Sequence, residues 1–571
     1  MPKTGPNAAP QQYPWLGAYP QGIPWDKTYK PRILSEILDD SASRFAGQPC
    51  TSFLGRTLTY GEIGRMADRT AAALQAMGVG KGSRVGLLLP NTPTYIVFYF
   101  AILKAGGTVV NFNPLYTVEE LRHQIRDSGT GIMVTLDLVM TFRKVEPLLQ
   151  EGSLEKAIVC PFAELLPGLK SLLFRLFKSG DVAKVSRSPA AAKILDGRTL
   201  MESDAPFKPP AIDPGKDIAV LQYTGGTTGT PKGAMLTHAN LSVNVQQVLD
   251  WAEVLSPGQE RIMAVLPFFH VFAMTAVLNF GVSKGSLLIL MPRFELKEAL
   301  QLIDSHKATM LPGVPTMYNA MINSPDLGRY DLTTLKFCIS GGAALPIEVK
   351  RAFETLTGCK LVEGYGLSET SPVATCNPPQ GPVREGSIGL PLPGTVISIR
   401  SIDDPEKEMP LKENGEICIA GPQVMPGYWE KPEETADAFT GRFFRTGDVG
   451  YMDSEGFTYI VDRLKDMINA SGFKVYPRRI EEALYEHPAV EEVTVIGIPD
   501  EYRGEAPKAF VKLRKNGKAS EEELFEFLKP KISKIEMPAE IEFRDVLPKT
   551  MIGKLSKKEL RQEEEPSPAA D

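Results

Sequence analysis

Tyr223-Thr224-Gly225-Gly226-Thr227-Thr228-Gly229-Thr230-Pro231-Lys232-Gly233 follows closely on the apolar run Ile218-Ala219-Val220-Leu221. Four glycines, four threonines and one lysine fall within eleven residues. The apolar run reads as a buried strand. Glycines let the chain turn sharply and bring its N–H groups close to an anion. Threonine hydroxyls add donors, and Lys232 adds a point charge. The segment reads as a loop for the phosphates of a nucleotide, with Tyr223, Thr224, Gly225, Gly226, Thr227, Thr228, Gly229 and Lys232 as its contacts. It differs from the loop in which Gly-Lys is followed by Ser or Thr at the start of a helix. Here Lys232 lies between Pro231 and Gly233.

Working outward, residues 83–89, 106–110 and 131–135 read as strands, and 94–104 and 118–127 as helices. The rhythm repeats from 263 to 315, with strands at 287–290 and 308–311. Such alternation implies an α/β fold with mostly parallel sheets covered by helices. Between 380 and 460 the apolar runs shorten and Gly/Pro turns intervene, at 387–389, 396–400, 415–420 and 456–461. That pattern predicts an antiparallel β lobe. Beyond Arg463, strands at 493–498 and 509–513 and a helix from Ser520 predict a small α+β domain. The expected division is 1–462 for a large N-terminal domain and 463–571 for a small C-terminal one.

Further motifs follow in order: Glu363-Gly364-Tyr365-Gly366-Leu367-Ser368-Glu369-Thr370, Thr446-Gly447-Asp448, Arg463-Leu464-Lys465-Asp466, Ser471-Gly472-Phe473-Lys474 and Pro548-Lys549-Thr550-Met551-Ile552-Gly553-Lys554. In this order and at these separations, the set resembles the adenylate-forming superfamily of acyl-CoA synthetases, luciferases and peptide-synthetase adenylation domains. The resemblance runs from about residue 58 to Lys554. It implies an adenylating N-terminal domain under a small mobile cap, with ATP, Mg²⁺ and CoA as co-substrate. Gly341, Gly342, Ala343, Tyr365 and Gly366 would then form the adenine slot. Asp448 would accept the ribose hydroxyls, supported by Arg463, and Thr224 and Glu369 would bind Mg²⁺. Lys554 would be the catalytic lysine at the forming acyl–phosphate bond, and Lys465 the hinge. Gly472 would line the pantetheine path, Lys474 would meet a CoA phosphate, and His270 would gate the acyl carboxylate. Plainer readings stay open: an N-cap at Glu369, a solvated charge at Lys554, a hairpin turn at Gly472, and a satisfied core histidine at His270.

Phe443-Phe444-Arg445-Thr446-Gly447-Asp448-Val449-Gly450 and Tyr459-Ile460-Val461-Asp462-Arg463 look most like bacterial-type long-chain fatty acyl-CoA synthetases. Ser368 stands where that pattern usually has threonine, and it keeps the hydroxyl. The implied partners are a fatty acid, ATP and CoA. Alternatives are a medium-chain or aryl acid–CoA ligase, a carrier-loading module that never uses CoA, and a luciferase-like oxygenase. The last carries a lysine where this chain has Asn469.

Composition narrows the setting. The 571 residues carry 63 basic and 69 acidic side chains, a net charge of −6, which argues against a general nucleic-acid binder. Six cysteines lack CxxC spacing and five histidines form no HxxxH pair, so neither a zinc site nor a disulfide framework is expected. The first 25 residues lack the apolar core of a secretory signal, and no run reaches the ~18 apolar residues of a spanning helix. The expected location is cytoplasmic. Residues 165–178 are apolar at 169, 172, 173, 176 and 177, with Lys170, Arg175 and Lys178 off that stripe. The spacing predicts a helix that either rests on the inner face of a membrane or packs on the protein's own core, and periodicity does not separate the two. Monomer and homodimer are equally compatible with the sequence.

Overall fold

The computed structural model describes residues 13–224, 231–471, 473–550 and 553–564. Local rules account for its helices. Pro93–Ala105 is apolar on every side and buried at every residue, as a core helix must be. Thr92 starts it by accepting the Tyr95 N–H, and Gly106, in left-handed backbone, ends it. Capping boxes likewise open Tyr60–Ala76, Val118–Ser128 and Glu521–Leu528.

Among the described residues the strands form four sheets. The first runs Ile194–Asp196, Lys156–Cys160, Ile132–Leu136, Arg84–Leu88, Thr108–Asn111, Ile218–Thr224 and Lys232–Thr237. Its neighbours are parallel except for the last pair, a hairpin. The second has a parallel heart: Lys360–Gly366, Phe337–Ser340, Met310–Gly313, Arg261–Ala264, Leu287–Leu290 and Pro49–Phe53. Antiparallel strands finish both of its edges. The third is the antiparallel lobe, Val396–Arg400, Gly415–Ala420, Phe443–Met452 with Phe439–Thr440 and Thr458–Arg463. The fourth lies beyond Arg463, with Val490–Asp500 and Gly504–Leu513 as its long hairpin. Helices Pro477–Tyr485, Glu521–Leu528 and Lys557–Glu564 accompany it.

The α/β class and the antiparallel lobe match the sequence reading. Residues 387–389 differ: pairing there is a single bridge from Gly389 to Thr458, and the strand is Leu390–Pro391. Gly389 has φ of 86°, which breaks the extended run. All six cysteines are buried and free. No helix among the described residues is long and apolar enough to cross a membrane.

Candidate active site

Ligand sites in parallel α/β sheets gather at the carboxyl ends of the strands. Here Phe337–Ser340 runs out into Gly341 and Gly342, and Lys360–Gly366 runs out into the turn that carries Glu369. The C-terminal domain covers this edge. Thr550 donates its N–H to the Lys554 carbonyl at 2.7 Å, and Gly553 donates to the Thr550 carbonyl at 2.8 Å. Lys554 stands at the closing end of this turn, with its side chain directly over Gly342. A Cβ on Gly342 would fall 2.7 Å from Lys554 Cε and 3.3 Å from Nζ, and its φ is 81°. Only glycine leaves room for the lysine.

One helix face seats the small domain. Thr316, Asn319 and Asn323 follow helical spacing on and just past Pro315–Ile322. The Thr316 hydroxyl donates to the Gly553 carbonyl at 2.6 Å, and Asn319 donates to the Glu491 carbonyl at 2.9 Å. Arg514 donates to the side-chain oxygen of Asn323.

Asp448 and Arg463 are opposite partners in the register of two antiparallel strands. Asp448 is buried. It ion-pairs with Arg463 Nε at 3.1 Å and accepts the Tyr365 hydroxyl at 2.7 Å. The three therefore form one group. Gly366 follows at a point of close approach: a Cβ there would sit 1.7 Å from the Pro372 carbonyl oxygen, so no side chain fits. Ala343 is exposed.

Glu369 is buried, and burial pushes its carboxyl above the usual range. Its Oε1 accepts the Tyr428 hydroxyl at 2.8 Å. The Lys232 ammonium stands 5.4 Å from the centre of the same Tyr428 ring. Thr224 and Lys232 face each other across the hairpin, so the two ends of the glycine–threonine segment are held side by side. Gly225, Gly226, Thr227, Thr228 and Gly229 lie outside the described residues. A buried carboxylate biased toward its neutral form fits a divalent cation, which would restore its charge. Among the described residues no three His, Cys, Asp or Glu side chains converge as a cage. Any magnesium here would take most of its ligands from phosphate and water.

His270 caps the short helix Val271–Ala273, and its Nδ1 accepts the Phe272 N–H at 3.3 Å. Burial, reinforced by the nearby Lys554 charge, lowers its pKa to about 3. The ring is neutral at physiological pH and carries its proton on Nε2, as a donor for an anionic oxygen. Burial, then the Arg463 charge, lowers Lys554 to about 8, with Asp448 opposing. The charged form is lost as pH rises through that value. We expect kcat/KM for ATP–pyrophosphate exchange to fall about tenfold per pH unit on that limb. Lys554→Arg, which stays charged, moves the limb upward. A profile flat up to the range of an ordinary lysine removes Lys554 from the step.

Three sequence-derived residues stand apart. The Tyr223 hydroxyl donates to Asp127 at 2.6 Å, and its ring packs among Leu221, Phe112 and their neighbours. Strand alternation gives Thr224 the opposite face. Lys474 is exposed on Phe473–Val475, and Lys465 is half-buried just past Arg463. Gly472 lies outside the described residues. The sequence reading missed Tyr428, Thr316, Asn319 and Asn323.

The C-terminal domain thus delivers Lys554 to the carboxyl end of the second sheet, over Gly342. The chain belongs to the AMP-binding enzyme family: that family's model matches residues 38–429, and the AMP-binding enzyme C-terminal domain matches 479–554. It is 45% identical over 553 residues to a long-chain-fatty-acid–CoA ligase of Bacillus subtilis, covering 97% of this chain and 98% of that one. A long-chain-fatty-acid–CoA ligase of Escherichia coli is 36% identical, with 96% and 98% covered. Among solved structures, the anthranilate CoA ligase AuaEII in complex with anthranoyl-AMP superposes with a TM-score of 0.83 at 25% identity, covering 95% of this chain and 99% of its own.

Proposed function

We propose that this protein is an AMP-forming long-chain fatty acid–CoA ligase. The observation that carries the reading is Lys554 held over Gly342 by the small domain, with the Asp448–Arg463–Tyr365 group formed by the strands nearby; the large domain also holds a small apolar cavity of about 20 Å³. Val248, Trp251, Phe280, Met310, Phe337 and Ile339 are among its walls. The names of the two bacterial relatives support the same substrate class.

In the first half-reaction a carboxylate oxygen attacks the α-phosphorus of ATP, and the bond to the β-phosphate breaks with release of pyrophosphate. Lys554 places positive charge beside the forming acyl–phosphate bond. His270 donates from Nε2 to the carboxylate or the phosphate. Asp448 holds the ribose, with Arg463 and Tyr365 fixing its orientation. Glu369 and Thr224, together with the phosphates, would hold magnesium, whose charge would neutralise the leaving group. In the second half-reaction the CoA sulfur attacks the acyl carbon, the thiol proton is lost, and AMP leaves with the carboxylate oxygen. The small domain turns about Lys465 between the two, which exchanges Lys554 for the segment around Gly472 and Lys474. The 62% exposure of Phe473 fits a surface that is covered only after that turn.

The substrate assignment is tested with a series of acids. We expect acids of about twelve to eighteen carbons to outcompete acetate and benzoate, since each buried methylene is worth ~0.8 kcal/mol. A higher kcat/KM for a short or aromatic acid rejects the chain-length reading and spares the adenylation chemistry.

The helix Gly168–Phe177 carries the proposed membrane contact. Leu169, Leu172, Leu173, Leu176 and Phe177 are all exposed, between 43% and 78%, so the stripe does not pack on the protein's own core. Phe174 holds the helix down against Phe162, and Lys170 donates to the Leu54 carbonyl at 2.9 Å. Apolar side chains interleaved with Arg175 and Lys178 suit an anionic bilayer surface. Leu172→Gln with Leu176→Gln is expected to cut co-sedimentation with anionic vesicles about tenfold. Unchanged sedimentation rejects the contact.

A further inference from the structure

We propose that Thr316, Asn319 and Asn323 form a seat that holds the small domain in the placement that delivers Lys554, and so act as positioning residues for the first half-reaction only. The proposal rests on the reading that the small domain turns between the two half-reactions. The helix Pro315–Ile322 is a fixed part of the large domain. Tyr318 is fully buried, and its hydroxyl lies 2.7 Å from the Leu311 carbonyl oxygen and 3.0 Å from that of Ile339, on two neighbouring strands. Its ring packs edge-on against Phe353, at 4.9 Å between ring centres. At about 100° per residue, Thr316, Asn319 and Asn323 fall on the other side of the helix from Tyr318. Threonine and asparagine are weak helix formers, so helix stability does not account for them there.

The two asparagines act in series. Asn323 Nδ2 donates to Asn319 Oδ1 at 2.9 Å, and Asn319 Nδ2 donates onward to the Glu491 carbonyl at 2.9 Å. Asn323 Oδ1 accepts from Arg514, whose Nε donates to the Pro488 carbonyl at 3.1 Å. Each amide is thus oriented by its neighbours, and hydrogen bonds in such a chain strengthen one another. Glu491 and Arg514 flank the open end of the long hairpin, where Val490 pairs with Leu513. The third contact acts beside the reaction centre. The Thr316 hydroxyl donates to the Gly553 carbonyl at 2.6 Å, and Gly553 immediately precedes Lys554. A Cβ on Gly553 would fall 3.1 Å from Thr316 Oγ1 and 3.3 Å from Val314 Cγ2, so the turn fits closely against the seat. All three bonds join groups that water can satisfy once the small domain leaves. A polar seat therefore favours one placement without locking it. The proposed turn about Lys465 breaks all three bonds together, so the seat counts only toward the placement with Lys554 over Gly342.

The test reads a ratio: kcat/KM for ATP–pyrophosphate exchange divided by kcat/KM for thioester formation from supplied acyl-adenylate and CoA. Each half-reaction scales with the share of molecules in its own placement. The ratio therefore follows the equilibrium between placements, and any loss of folded protein cancels. Thr316→Val, which keeps the shape and removes the hydroxyl, is expected to lower the ratio about fivefold. Thr316→Ser, which keeps the hydroxyl, leaves it near the unaltered value. Asn319→Ala combined with Asn323→Ala lowers it about tenfold. Arg514→Ala breaks the same chain from the small domain, lowers the ratio about threefold, and serves if the asparagine variant does not fold. Lys554→Ala is the control for alternation. Equal loss of both half-reactions in that control overturns the reading of two placements, and the seat with it. A selective loss of exchange there, with the ratio constant or raised in Thr316→Val, the asparagine variant and Arg514→Ala, overturns only the seat. An equal fall in Thr316→Ser and Thr316→Val traces the effect to packing rather than to the hydroxyl bond, and also overturns it.

Discussion

Lys554→Ala lowers ATP–pyrophosphate exchange about a hundredfold to a thousandfold, the usual cost of removing one preorganised charge from a reaction centre. The same variant still converts supplied acyl-adenylate and CoA to thioester. The asymmetry follows from geometry. Lys554 stands at the closing end of a turn on the small domain, over Gly342, where the proposed mechanism develops charge only while the adenylate forms. The segment that flanks Gly472 sits elsewhere on that domain, with Phe473 and Lys474 exposed. Under the proposed roles one placement of the domain does not bring both segments to the substrate, so the proposal has the domain turn between steps. Gly472→Leu is therefore expected to keep pyrophosphate exchange and stall at the acyl-adenylate. Equal loss of both half-reactions in each variant would mean that the substitutions merely destabilise the domain, and alternation would fail.

Glu369→Gln should lower exchange about a thousandfold, because it removes the buried carboxylate proposed to share a cation with the phosphates. The amide keeps the shape and the Tyr428 contact, so the loss reports charge rather than folding. The magnesium concentration for half-maximal rate is expected to rise in parallel. Since burial raises the Glu369 pKa, activity also falls on the acid side as the carboxyl takes up its proton. Near-normal exchange with unaltered magnesium dependence would remove Glu369 from the metal site.

Much of this was legible in the chain because the information is local. The core helix at Pro93–Ala105 follows from an apolar run with a threonine cap and a glycine stop. The Asp448–Arg463 pair follows from two strands joined by a short turn, whose antiparallel register sets them opposite. Other features were not legible because their partners are remote in sequence. Thr316 reaches Gly553 across 237 positions, and Tyr428 reaches Glu369 across 59. No local pattern marks either. The Tyr223–Asp127 bond was not legible either, because Asp127 lies 96 positions away. For the 165–178 stripe, period alone could not tell a core face from a solvent face. The exposure of five large apolar side chains does.

The central claim is that the acid passes through an acyl-adenylate before it reaches CoA. The most direct measurement supplies a long-chain acid with both carboxylate oxygens isotopically labelled, together with ATP, magnesium and CoA, and follows the label by mass spectrometry. Attack at the α-phosphorus, followed by thiol attack at the acyl carbon, leaves one labelled oxygen on each AMP and none on pyrophosphate. Label in pyrophosphate or inorganic phosphate, or AMP formed without label alongside acyl-CoA, contradicts it.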